Sequence, residues 1–152
     1  LGDVYKRQAY PIDIDFWQCG KAAYGPTRVI AKGGEFLLLA ACTEGVGPHP
    51  QILDYMALEN GTEVLSHRIA SQNTGEDLLT MAVGVSMGRV VRHSNVTLVT
   101  DGLLPEDCRR GQMSHCSPAN LQQALQQALE RFEDPFLLII GEGGEVIPLL
   151  ED

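Results

Sequence analysis

Glu35-Phe36-Leu37-Leu38-Leu39-Ala40-Ala41 decides the fold class, because after one acidic residue it is apolar without alternation. A strand with one wet face alternates, whereas an unbroken apolar run suits a strand covered on both faces, as in parallel α/β sheets. The flanks agree. Lys32-Gly33-Gly34 precedes the run, with Gly33 suited to a left-handed stop, and a loop rich in Gly and Pro follows from Cys42 to Pro50.

Upstream of this strand, Asp13 or Asp15 can accept hydrogen bonds from the free N–H groups that open a helix. A helix is therefore expected from about Asp15 to Tyr24, halted near Gly25-Pro26, and Pro26 can open a second short helix over Thr27 to Lys32. Downstream, Pro50 to Leu58 places Ile52, Leu53, Met56 and Ala57 on one stripe, with Asn60-Gly61 marking its end. Glu76 to about Val91 reads as a longer, well-buried helix. Asn95-Val-Thr-Leu-Val-Thr100 reads as a second strand, closed by Asp101-Gly102, and Leu104 to Ser114 as a loop or short helix. Ser117-Pro118 opens an amphipathic helix that reaches Phe132 and keeps Gln122, Gln123, Gln126 and Gln127 on its polar side. Phe136 to Ile140 is expected as a third strand. After it, Gly141-x-Gly143-Gly144 lacks the full dinucleotide-binding pattern and reads as a turn toward Val146 to Leu149. Strands alternating with helices give the expected fold: α/β, with a mostly parallel sheet flanked by helices.

The chain's 152 residues suit one domain, and 44% hydrophobic with 20% charged residues is an ordinary soluble composition. No apolar run approaches the ~20 residues that span a membrane, so no membrane partner is expected. Eleven basic against twenty acidic side chains give a formal charge of −9, which opposes attraction to phosphate backbones and argues against nucleic acid as a partner. The four cysteines form no C-x-x-C pair and no signal peptide is recognisable, so free thiols in a reducing cytoplasm are expected. Cys19 reads as an ordinary packed thiol. His115-Cys116 lacks the spaced further ligands a metal would need.

The chemistry-bearing run is Tyr10-Pro-Ile-Asp-Ile-Asp-Phe-Trp-Gln-Cys-Gly-Lys21. Gln18 and Lys21 stand three residues apart and so neighbour each other on a helix, with Trp17 four residues before Lys21. Taken alone, the two polar residues read as solvated and Trp17 as core. The loop Glu44-Gly-Val-Gly-Pro-His49 follows the end of a strand, where open α/β sheets bind ligands, yet its glycines also suit turns and His49 a surface loop.

The aromatic-Gln-x-x-Lys pattern Trp17-Gln18-Cys19-Gly20-Lys21 resembles the C-terminal part of the nickel-pincer-dependent lactate racemase family. The resemblance continues through Lys32-Gly33-Gly34, the strand Phe36 to Ala41, the loop Thr43 to Gly47 with His49, and the helix from Ser117 to Phe132. Trp17 stands where that family is expected to carry tyrosine, which keeps an aromatic but removes a phenolic hydroxyl. The resemblance implies the single C-terminal domain of a two-domain racemase or epimerase acting on small 2-hydroxy acids. In such an enzyme the α-carbon gives a hydride to the cofactor, a histidine takes the hydroxyl proton, and the hydride returns to the other face. It further implies that Gln18, Lys21 and Trp17 face substrate and cofactor, and that no catalytic residue and no metal ligand lies in this chain. The nickel-pincer nucleotide would be held mainly by an N-terminal domain, the implied partner, and none is expected on this chain alone. Leu1 to Gln8 reads as a non-native junction, leaving 9–152 as the domain. The alternative expectation is a stand-alone small-ligand binding or structural α/β domain.

Overall fold

Three strands lie side by side in the order β1 (Glu35–Leu39), β2 (Asn95–Val99) and β3 (Ser114–Cys116), and both pairings are parallel. The computed structural model describes residues 11–73, 75, 77–141 and 143–149, so the segment read as a junction lies outside the described residues. Glu35 pairs with Asn95 and Leu39 with Val99, while Thr97 to Val99 pair with Ser114 to Cys116. Parallel neighbours need crossovers. Between β1 and β2 these are α2 (Ile52–Met56), α3 (Gly61–Ala70) and α4 (Leu78–His93); between β2 and β3 stands α5 (Pro105–Arg110). A last helix, α6 (Leu121–Leu129), follows β3 after a 3-10 turn at Pro118–Asn120.

Alternate residues of the strands seal one face of the sheet. Leu38, Val96 and Leu98 join Ile52, Leu53, Met56, Met87 and Val90 in one buried core, with Phe36 packed at its margin. On the other face, Leu37, Thr97 and Ser114 lie under α6 across a groove of about 300 Å³. The unbroken apolar run of β1 therefore has two unequal faces, and Leu39 remains 51% exposed.

Helix α4 meets α2 at backbone range. A Cβ on Gly84 would stand 2.5 Å from Tyr55 Cβ and 2.9 Å from the Ile52 carbonyl. About two turns later Arg92 Nη1 donates to the Met56 carbonyl at 3.0 Å, pairing an acceptor that the end of α2 would otherwise leave open. Arg68 of α3 reaches Asp77 at 2.8 Å, and the Tyr55 hydroxyl donates to the same carboxylate, so one acid joins three helical segments.

Several expectations are corrected. The third strand is Ser114–Cys116, not Phe136–Ile140; the latter has no sheet pairing, and Phe136 is 91% exposed. An apolar run becomes a strand only when another strand completes its hydrogen-bond ladder. The α2 helix does end before Asn60-Gly61, but the same pair also opens α3, where Gly61 packs closely: a Cβ there would stand 2.8 Å from Val85 Cγ2. The helix expected from Asp15 to Tyr24 is α1 (Phe16–Cys19) continued by a 3-10 turn at Gly20–Ala23. Over Thr27 to Lys32 only a 3-10 turn forms, at Pro26–Arg28, and the Thr27 hydroxyl bonds back to the Ala23 and Tyr24 carbonyls. The last helix ends at Leu129, and Ser117 does not cap it.

Two outcomes follow from this packing. Gly84→Ala is expected to lower unfolding stability by about 1–3 kcal/mol in urea titrations, since backbone atoms must move to admit one methyl. The Arg68 guanidinium, and after it the Tyr55 hydroxyl, hold the Asp77 carboxyl below the usual carboxylate range. A depressed folded value stabilises the fold above the unfolded pKa of about 3.9, and the contribution is lost as pH falls toward the folded value. Asp77→Asn should therefore flatten the fall of Tm between about pH 4 and pH 2 in thermal melts.

Candidate functional site

The segment before α1 has no strand partner, so its backbone groups must be satisfied by other means. They pair with the loop that leaves β1. Cys42 N donates to the Asp13 carbonyl at 2.7 Å and Glu44 N to Ile14 at 2.8 Å; Phe16 N then donates to Gly45 at 3.0 Å and Trp17 N to Val46 at 3.2 Å. Asp13 Oδ2 also accepts from Ala41 N at 3.3 Å.

Of the two acids considered for the helix cap, Asp15 takes the role. Its Oδ1 accepts from Gln18 N at 2.7 Å, and its side chain is buried beneath Gly47. Gly47 has φ +92°, and a Cβ there would lie 2.8 Å from the Asp15 carboxylate. Only glycine fits that approach.

With α1 anchored in this way, its residues divide. Phe16 and Cys19 are buried in the core, while Trp17 and Gln18 are half-buried and Lys21 is exposed. Lys21 Nζ donates to Gln18 Oε1 at 2.7 Å, so the three-residue spacing does bring the pair together. An ammonium has three donors, which leaves two at Lys21 free of Gln18, together with the Gln18 amide N–H groups. The Trp17 ring meets the His49 imidazole at 4.6 Å between centroids, tilted by 55°.

Residues that the sequence reading did not join also converge on the strand ends. Thr100, just past β2, donates through Oγ1 to the Ala41 carbonyl at 3.0 Å and accepts from Gly102 N at 3.0 Å. His115 Nε2 lies 3.0 Å from the Thr100 carbonyl, and Ser117 donates to Asp101 Oδ1 at 2.8 Å. The contacts of Thr100 with Ala41 and of His115 with Thr100 depend on the register of β2 with β1 and with β3. Among the described residues, no group of three or more His, Cys, Asp or Glu is placed to hold a metal ion, and no helix is long and apolar enough to cross a membrane.

Set beside known proteins, the chain matches the lactate racemase C-terminal domain family over residues 4–147. It belongs to that family. Its fold is also that of part of the lactate racemase apoprotein from Thermoanaerobacterium thermosaccharolyticum, with a TM-score of 0.69 at 20% identity. The alignment covers 91% of this chain and 33% of that racemase, so the chain spans about a third of its length. No curated protein matches it significantly by sequence. In this lactate racemase C-terminal domain, then, the Trp17-Gln18-Lys21 group sits on a helix held at the ends of the parallel strands.

That placement depends on Asp15. Asp15→Ala leaves Gln18 N without its acceptor and is expected to cost about 1–2 kcal/mol of stability. Because Trp17 is the single tryptophan, its emission should shift to the red as α1 loosens, which fluorescence during urea titration would read directly.

Proposed function

We propose that this chain forms one side of an interdomain active site in a 2-hydroxy acid racemase or epimerase, where Lys21 and Gln18 hold the substrate carboxylate beside Trp17. The observation that carries the reading is the Lys21 Nζ to Gln18 Oε1 contact at 2.7 Å, on a helix at the strand ends of a chain of this family. Racemisation passes through a planar α-centre, so the carboxylate must stay fixed while the two faces of that centre exchange roles. A lysine held by a neighbouring amide supplies a localised cation, and the amide N–H groups supply direction. Trp17, braced by His49, would limit how far the substrate can tilt.

The family implies a nickel-pincer nucleotide, and the residues here do not fit the task of ligating its metal. A nickel site needs converging nitrogen or sulfur donors. The Cys19 and Cys42 sulfurs are buried against each other, and His49 is the imidazole that packs on Trp17. We therefore assign the cofactor to an N-terminal partner domain. The proton-transfer residues are assigned there too.

A hydrogen bond to a charged group contributes about 1.5–3 kcal/mol, so Lys21→Ala in the intact parent should lower kcat/KM for 2-hydroxy acid interconversion about ten- to a hundredfold. Lys21→Arg should recover part of the loss, and this chain alone should interconvert neither enantiomer. Unchanged turnover in Lys21→Ala would sink the proposed role and favour a purely structural domain. Saturable binding of a hydroxy acid to the isolated chain, read by calorimetry, would favour a stand-alone binding module.

A further inference from the structure

One pair of reactive side chains beside the site is used by nothing described above. Cys19 Sγ on α1 and Cys42 Sγ, just past β1, lie 3.7 Å apart, and their residues are 3% and 0% exposed. Among the described residues no other cysteine sulfur stands within hydrogen-bond reach of either. The two belong to separate segments, the one that carries Gln18 and Lys21 and the one that carries the loop to His49. Cys42 also has a left-handed backbone, φ +48°, which is uncommon for a residue with a Cβ. Its neighbours Ala41 and Thr43 are exposed, so opening one surface loop would admit a small oxidant.

We propose that Cys19 and Cys42 are a modification site: a reversible disulfide that clamps α1 onto the loop after β1, formed by a small peroxide and released by a dithiol. A disulfide requires about 2.05 Å between sulfurs, so the closure needed from van der Waals contact is short. The Cys42 thiolate attacks hydrogen peroxide; a sulfur–oxygen bond forms, the oxygen–oxygen bond breaks and hydroxide leaves. Cys19 then attacks the sulfenic sulfur of Cys42. The sulfur–sulfur bond forms as the sulfur–oxygen bond breaks, and the Cys19 proton leaves with the hydroxyl as water. Two thiols lose two electrons, and one peroxide becomes two waters.

The assignment of nucleophile follows from the hydrogen bond between the sulfurs. With Cys19 as donor, the Cys42 thiolate is favoured and the Cys19 thiol is pushed up, further so by burial. Asp13 and Asp15 oppose charge on both. Cys108 lacks such a partner, and burial pushes its thiol up to about 11.

This inference concerns thiol chemistry and rests on no catalytic reading. The test is to treat the purified chain with hydrogen peroxide at neutral pH, unfold it, alkylate the remaining thiols and map tryptic peptides. The expected result is two alkylated cysteines in place of four, with the peptide ending at Lys21 joined to the one running from Gly33 to Arg68. Dithiothreitol should restore all four. The oxidised chain should melt about 5 °C higher, since the bridge closes a loop of the unfolded chain. Cys116→Ser should leave the cross-link intact and Cys42→Ser should abolish it; if the latter fails to fold, the wild-type peptide map decides alone. Four persistent free thiols, sulfinic acid in place of the bridge, or a bridge that includes Cys108 or Cys116 would overturn the proposal.

Discussion

The main-chain pairing between Asp13–Trp17 and the loop Cys42–Val46 is the constraint on which the candidate site depends. It is a ladder without a sheet. Cys42 and Glu44 donate in one direction, Phe16 and Trp17 in the other, all at 2.7–3.2 Å. The loop is in turn placed by β1, whose last ladder partner is Val99 and whose continuation Ala40 donates to the Val99 carbonyl at 3.2 Å. Sheet register therefore fixes the loop, and the loop fixes α1. Displacing β1 by one residue would reverse its inward and outward side chains and move the loop with them.

A helix as short as Phe16–Cys19 has no stability of its own in water. It persists because its inward residues are core residues. Phe16, Cys19, Gly20 and Ala23 are buried, a spacing of three, four and seven residues that places them on one side of a helical coil. A Cβ on Gly20 would stand 3.5 Å from Met87 Cε of α4, so the helix lies close against that side chain. Burying one large side chain such as Phe16 contributes about 1.5–3 kcal/mol, comparable to the cap that Asp15 supplies. The polar positions Gln18 and Lys21 lie outside this inward set, which is why one short segment serves both core and site.

How much of this was legible depends on where the information resides. Local rules found the Asp cap, the β1 and β2 strands, Gly33 as a left-handed stop at φ +78°, α4 and the glutamine-rich side of α6. They also brought Gln18 and Lys21 together, because helical spacing is a property of neighbours in sequence. Missed features were non-local. Ser114-His115-Cys116 is too short and too polar to advertise a strand, and only the edge of β2 makes it one. That Gly61 also opens α3 against Val85 could not be read locally, since Val85 lies 24 residues away. The apolar run Phe136–Ile140 misled in the opposite sense, since hydrophobicity without a ladder partner does not make a strand. The same limit hid Thr100, Asp101, His115 and Ser117, and the Cys19–Cys42 contact, all of which need tertiary register to be seen.

The electrostatics around Lys21 follow from the same backbone constraint. A chain of net charge −9 is a poor long-range attractor of anions, and at physiological salt fields between exposed charges fade over about 8 Å. Whatever favours an anion at α1 must therefore be local. The acids nearest in sequence, Asp13 and Asp15, do not reach for the lysine; their carboxylates accept from the backbone N–H groups of Ala41 and Gln18. Among the described residues, no carboxylate lies within ion-pair distance of Lys21, and its recorded partner is the neutral Gln18 amide. Holding a cation by an amide localises it without cancelling its charge, whereas a carboxylate in the same place would both orient and neutralise it. Asp15, which caps α1, and Asp13, which holds the backbone after β1, are thus committed to main-chain N–H groups, and neither neutralises the charge of Lys21.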